Sequence, residues 1–216
     1  MPIIRKHRRS MREDKTAVLG GSFDPVHLGH LFLLHCAVTM TDYSSFLLIP
    51  AKVSNFKQGN GPKATDARRL EMLRLALLDY QDLYPDDKAD IRISTMELDR
   101  GGVSYTSDTV RQLRQQLGYD GTDRRIGLIM GDDHVEGLSR WHDFGYLKDN
   151  VEFLICRRNP DGECWDSLPD GLHYRKLEPG HLAPQSSSAV RSNVDANGGF
   201  LSKRVSEYVR ANGLYI

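Results

Sequence analysis

The chain is short of cysteine, carries no surplus of either charge and has no long apolar run. Each shortage removes a class of function. Cys36, Cys156 and Cys164 are the three cysteines of 216 residues, an odd number without the spacing of a metal site. The expectation is a reduced, cytoplasmic protein. Twenty-nine basic residues balance twenty-nine acidic ones, so the surface is not coated with positive charge for duplex nucleic acid. A small basic pocket for a phosphorylated ligand remains compatible with that balance. The longest apolar runs are of the length of Phe46–Ile49, too short for a membrane span. The basic stretch Arg5–Arg12 is followed by no apolar core of signal-peptide type. Neither a nucleic-acid nor a membrane partner is expected, and a homo-oligomer is left open.

What is present is ordinary globular composition, 39 % hydrophobic and 27 % charged with nineteen glycines. Residues 1–15 are polar and basic without periodicity and read as a flexible tail, leaving residues 16–216 as one domain. Within it, short apolar runs alternate with amphipathic stretches. Strands are expected at Thr16–Leu19, Ser45–Ile49, Ile91–Glu97, Ile126–Met130 and Val151–Cys156. Helices are expected at Leu28–Met40, after Thr65 or Asp66 with Leu70, Leu73 and Leu77 on one face, at Ser107–Leu117, and at Ser202–Asn212. Leu201, Val205, Tyr208 and Val209 form a core-facing stripe on the last. The alternation implies a single doubly wound, Rossmann-like α/β domain with a mostly parallel sheet. Its ligands would sit at the carboxyl ends of the strands.

The most informative stretch is Gly20-Gly21-Ser22-Phe23-Asp24-Pro25-Val26-His27-Leu28-Gly29-His30, which leaves the first strand and enters the first helix. Glycines let backbone N–H groups approach a ligand, and the helix start adds unpaired donors and a positive dipole end. His27 and His30, three apart, project toward one region. No third ligand at a recognisable spacing turns them into a zinc site. Near the other end, Ser186-Ser187-Ser188-Ala189-Val190-Arg191 offers hydroxyls, N–H groups and a permanently charged fork for phosphate oxygens.

The first string resembles the His-x-Gly-His signature of nucleotidyltransferases, and the second is similar to their Ser-Ser-Thr-x-Ile-Arg motif, with Ser188 in place of threonine. Class I aminoacyl-tRNA synthetases carry a related first signature but are much longer. Glu97-Leu98-Asp99-Arg100 with Ser104-Tyr105-Thr106-Ser107-Asp108-Thr109, then Gly131-Asp132-Asp133 with Trp141, resemble stretches of the bacterial nicotinate-nucleotide adenylyltransferases. So do Val205–Tyr208 and the terminal Gly213-Leu214-Tyr215. The resemblance runs from about Ala17 to Tyr215.

It implies adenylyl transfer from ATP to nicotinate mononucleotide, giving deamido-NAD and pyrophosphate. Nicotinamide mononucleotide or phosphopantetheine as acceptor, or a non-catalytic nucleotide-binding module, are the alternatives. His27, His30, Lys57 and Arg191 are the implied catalytic residues. Gly20, Gly21, Ser22, Phe23, Gly29, Gly131, Asp133, Ser187 and Ser188 would bind ATP and its phosphates, with Asp133 on a ribose hydroxyl. Tyr105 and Thr106 would face the nicotinate carboxylate, and Trp141 would stack on the pyridine ring. The attacking phosphate oxygen is already ionised, so no general base is needed, and none is offered by a serine triad or a catalytic cysteine. Positioning and charge stabilisation carry such a reaction. Mg²⁺ is expected on the ATP phosphates, without protein side-chain ligands.

One loop departs from the resemblance. After the second strand the related enzymes have Pro-x-x-x-Pro-x-His-Lys, whereas this chain reads Pro50-Ala51-Lys52-Val53-Ser54-Asn55-Phe56-Lys57. Lys52 is the nearest additional cation to the missing histidine.

Overall fold

The computed structural model describes residues 15–55, 61–157, 164–179, 191 and 198–215. Six strands form its main sheet: β1 (Thr16–Gly21), β2 (Ser45–Pro50), β4 (Asp90–Ile93), β6 (Ile126–Gly131), β7 (Val151–Cys156) and β8 (Tyr174–Leu177). Their order is β4-β2-β1-β6-β7-β8, and every pairing is parallel. Counted within this sheet alone the order is 3-2-1-4-5-6, the Rossmann-like arrangement. The chain switches direction between β1 and β6, which opens a crevice at their carboxyl ends. A two-stranded parallel ribbon joins β3 (Val53–Ser54) to β5 (Val103–Ser104) beside that crevice.

Strand alternation sends side chains to two cores. Ala17 and Leu19 of β1 face one with Phe46, Leu48, Ile129 and Leu154; Val18 faces the other with Leu128, Phe153 and Ile155. The first core is covered by α1 (Leu28–Met40), α2 (Asp66–Leu83) and α6 (Lys203–Ala211), the second by α4 (Thr106–Gln116) and α5 (Phe144–Asn150). Gly127 has a steric reason on β6. A Cβ there would lie 2.7 Å from the Tyr43 ring and 2.9 Å from the Ala17 Cβ, closer than real contacts allow.

Several expectations are corrected. Ile91–Glu97 is not one strand, because β4 ends at Ile93 and Met96–Arg100 forms the short helix α3. Met96 and Glu97 are thereby buried against the second layer instead of extending the sheet. On α2 the buried face is Arg69, Met72, Leu73, Ala76, Asp79 and Tyr80, with Leu70 and Leu77 at its flanks. Arg69 and Asp79 turn inward because each is paired, which rotates the face away from the aliphatic stripe. Thr65 does cap α2, its hydroxyl accepting from the Arg68 N–H at 3.4 Å. Helix α4 starts at Thr106, one residue before the expected Ser107, with Tyr105 in the N-cap position and no side-chain cap. Strand β8 was not foreseen, its polar Tyr174-Arg175-Lys176 lying at the sheet edge. The expected tail lies outside the described residues except for Lys15, whose ammonium pairs with Asp42 at 2.6 Å. No helix among the described residues is long and apolar enough to cross a membrane.

Candidate active site

A cleft of about 350 Å³ occupies the crevice between the carboxyl ends of β1 and β6. Gly20 and Gly21 form its edge at β1, and Met130 and Gly131 at β6. An added Cβ at Gly20 would meet nothing within 4 Å, so the backbone there borders open space. At Gly21 it would press on the Phe23 ring at 3.4 Å. Phe23 is fully buried in the left-handed region, φ 45, a conformation costly for an aromatic residue and typical of sites where the backbone is held for a purpose. Its ring meets His30 edge-on, 4.9 Å between centroids.

His27 is the residue before α1, in extended conformation, and His30 lies in the first turn. Their rings are 3.7 Å apart between centroids, and both line the cleft with Gly29 between them. Helix α1 has no acidic residue in its first turn to offset the positive end of its dipole. Ser22 lines the same wall, and its carbonyl accepts from Arg69 at 2.7 Å. Arg69 also donates to the Ala51 carbonyl at 2.8 Å and to Asp66 at 2.7 Å. A single buried guanidinium therefore ties the loop after β1, the end of β2 and the start of α2.

The opposite wall is contributed by Thr106, Asp133, His134 and Trp141. Trp141 is half-buried against the second core. Asp133 is exposed within a 3₁₀ turn, Asp132–His134, that follows β6 directly. Tyr105 does not line the cleft; its ring stacks on His142 at 4.2 Å, while the Ser107 hydroxyl shares a 2.9 Å hydrogen bond with His142 Nδ1. Among the described residues no group of three His, Cys, Asp or Glu side chains gathers as a metal site.

Arg191 lies beside the loop after β1 and donates to the Asp24 carbonyl at 2.6 Å. Lys57, Phe56, Ser187 and Ser188 fall outside the described residues. Lys52 is committed elsewhere: its ammonium pairs with Asp66 at 2.5 Å, and its N–H donates to the Ser104 hydroxyl at 2.9 Å. Burial alone would raise the Asp66 carboxyl, but hydrogen bonds from Lys52 and Arg69 outweigh it and hold that group below the usual carboxylate range.

The cytidylyltransferase-like family matches residues 18–193. The protein of Treponema pallidum named "probable nicotinate-nucleotide adenylyltransferase" is 31 % identical over 211 residues, covering 93 % of this chain and 98 % of its own. That of Stenotrophomonas maltophilia is 33 % identical over 225 residues, covering 91 % and 94 %. The chain belongs to this family of adenylyltransferases. Among solved structures, the Plasmodium falciparum nicotinic acid mononucleotide adenylyltransferase complexed with NaAD superposes with a TM-score of 0.72 at 16 % identity. It spans 94 % of this chain and 97 % of its own, and at that identity it establishes the shared fold.

Three residues in or beside this cleft take no role from the sequence alone. Glu97 is buried, lines the cleft, and accepts from the Thr109 hydroxyl at 2.6 Å. It stands in the quoted Glu-Leu-Asp-Arg stretch, but a reading of that segment as strand hides its inward turn. Ser104 lines the cleft from β5 and receives the Lys52 N–H. Asp24, inside the first motif, is 3 % exposed and bonded on several sides. No local pattern reveals it, because its partners are remote in sequence.

Proposed function

We propose that the cleft between β1 and β6 binds ATP and nicotinate mononucleotide and transfers the adenylyl group between them. The observation that carries this reading is the convergence of two dissimilar walls. One has an open glycine backbone, a helix start and two imidazoles, suited to phosphates. The other has Thr106, Asp133 and Trp141, suited to a ring, a carboxylate and a ribose hydroxyl.

ATP is taken as its Mg²⁺ complex, the ion carried on the substrate's phosphates. A phosphate oxygen of nicotinate mononucleotide attacks the α-phosphorus. The bond from that phosphorus to the bridging oxygen breaks, and pyrophosphate departs with the electron pair. No proton has to be removed from the nucleophile. The work left to the protein is to bring two anions together and to support the charge on the α-phosphoryl group and pyrophosphate. In this reading His27, His30, Lys57 and Arg191 donate to those oxygens. Gly20, Gly21, Ser22, Phe23, Gly29 and Gly131 lend backbone to the ATP side, with Ser187 and Ser188 on its phosphates. Asp133 takes a ribose hydroxyl, Thr106 and the backbone at Tyr105 the nicotinate carboxylate, and Trp141 the pyridine face. A cytoplasmic location belongs to the same reading, and the buried thiols of Cys36 and Cys156 accord with a reducing compartment.

Pyrophosphate release from ATP tests the proposal, measured in parallel with nicotinate mononucleotide, nicotinamide mononucleotide and phosphopantetheine. Turnover is expected with the first. Turnover only with phosphopantetheine, or with no acceptor, would overturn the reading.

A further inference from the structure

Asp24 sits between the glycines and the histidines of the loop after β1, and four segments of chain meet on it. Its Oδ2 accepts from the Lys63 N–H at 2.8 Å. Its Oδ1 accepts from the Ala64 N–H at 3.0 Å and from the Tyr215 hydroxyl at 2.7 Å. Arg191 donates to its carbonyl at 2.6 Å, with the guanidinium 4.0 Å from Oδ2. Lys63 and Ala64 follow Lys57 in the chain, and Arg191 is the last residue of the serine-rich motif. Two of these segments thus meet on one buried residue in the first motif, Ala64 and Lys63 at its carboxylate and Arg191 at its carbonyl.

The fourth segment is the end of the chain. Leu214 is buried and its N–H donates to the Val209 carbonyl of α6 at 3.0 Å, which fixes the last turn onto the core. Tyr215 then takes the left-handed region, φ 66, a conformation that a tyrosine rarely adopts and that here delivers its hydroxyl to Asp24. Burial, with the hydrogen bond to Asp24 adding to it, pushes the phenol well above its ordinary range, so it stays a donor at any working pH. A guanidinium is a planar fork, so pinning one N–H sets the direction of the others. The orientation of Arg191 therefore depends on how Asp24 is held, and the Tyr215 hydroxyl holds the carboxylate of that same residue.

We propose that Asp24 and Tyr215 are positioning residues for adenylyl transfer, the Tyr215 hydroxyl steadying Asp24 so that its backbone carbonyl seats Arg191 in its phosphate-facing orientation. The inference rests on Arg191 being a phosphate-facing cation. It assigns to the end of the chain a part in the chemistry beyond covering the core.

The test is a double-mutant cycle in the full-length chain. Tyr215→Phe keeps the packed ring and deletes one hydroxyl. It should lower kcat by about tenfold while KM for nicotinate mononucleotide stays within about twofold. Arg191→Ala should lower kcat by on the order of 10²-fold. Tyr215→Phe added to Arg191→Ala should cost less than about a further twofold, because the hydroxyl acts through the arginine. If the two losses multiply, Tyr215 is a structural strut and the inference is wrong. A Tyr215→Phe enzyme with undiminished kcat overturns it as well, whatever happens to its thermal midpoint. If Arg191→Ala alone is silent, the phosphate role of Arg191 fails first and the positioning role falls with it. That outcome is distinct from multiplying losses.

Discussion

The Nδ1 atom of His30 accepts a hydrogen bond from the backbone N–H of His27 at 3.2 Å. A ring nitrogen that accepts cannot carry a proton, so this bond places the proton of a neutral His30 on Nε2. The other ring nitrogen then serves as a donor, which is what a developing phosphoryl charge requires. The ring is further fixed by the edge of Phe23 and by the His27 imidazole. His30→Ala should therefore lower kcat by on the order of 10²–10³, with a smaller rise in KM for ATP. His27→Ala should be the milder of the two. Steady-state kinetics on folded variants decide it, and a His30→Ala enzyme with near wild-type kcat would remove the histidine from the chemistry.

Acceptor choice follows from the wall opposite the histidines. A nicotinate carboxylate can accept from the Thr106 hydroxyl and from N–H groups at the start of α4, whereas a carboxamide turns an NH₂ toward them. The mismatch should favour nicotinate mononucleotide over nicotinamide mononucleotide by about tenfold or more in kcat/KM, a difference of about 1.4 kcal/mol. Equal kcat/KM values for the two nucleotides would mean that Thr106 does not face the ring substituent.

The sequence made some of this legible and hid the rest for physical reasons. Leu28–Met40 is legible in the sequence because an apolar run begins inside the first motif and ends before a polar turn. The cleft followed from the motif strings, since residues at the carboxyl ends of parallel strands converge wherever the chain order switches. What stayed hidden depends on pairing across the fold. Arg69 and Asp79 look like surface positions of α2, yet are buried because Ser22, Ala51 and Arg204 satisfy them. Asp24 reaches partners 167 and 191 residues away, a relation no spacing rule contains. Glu97 reads as strand because Ile91 and Ile93 alternate just before it, whereas the strand ends at Ile93 and α3 begins at Met96.

Gly127 separates fold from site. A methyl group there would collide with the Tyr43 ring, itself pinned by its hydroxyl donating to Glu152 at 2.8 Å, and with Ala17 on the neighbouring strand. Gly127→Ala should cost about 1–3 kcal/mol of stability in denaturant unfolding. Because Gly127 precedes the cleft-lining end of β6, kcat at low temperature should stay near wild type. A stable but inactive variant would show that strain at this position reaches the cleft.

Asp66 gives the stability a pH dependence of known sign. Its carboxyl is held below the ordinary value of 3.8 in the folded chain. Its ionised form therefore adds stability at pH values above 3.8, and that contribution is lost as the pH falls through the lower native value. Asp66→Asn should unfold at lower urea than wild type at neutral pH, with the gap shrinking on acidification below that value. A gap independent of pH would show that packing, not charge, accounts for the loss.

The loop after β2 supplies the last prediction. Lys52 and Lys57 both follow Pro50 in the chain, and Phe56 stands where the family pattern quoted above has a histidine, so either lysine could be the phosphate-facing cation of this stretch. The structure shows Lys52 committed elsewhere. The Lys52 ammonium is paired with Asp66, its N–H is bonded to Ser104, and the next residue is zipped to Val103 in the small ribbon. Swinging Lys52 into the cleft would break that ion pair and strip Asp66 of one of its two cations. Lys57→Ala should accordingly depress kcat/KM by about 2 kcal/mol or more, the scale of a charge-assisted contact in a desolvated site. Lys52→Ala should change kcat/KM by less than about threefold and act mainly on stability, as expected for a half-exposed ion pair. Phe56→His should leave activity similar or slightly higher, since it restores a donor without removing a cation. Kinetics of the three variants with saturating nicotinate mononucleotide and varied ATP rank them directly. If Lys52→Ala proves the more damaging lysine variant, the Asp66 pair must open during turnover and Lys52 is the loop's cation.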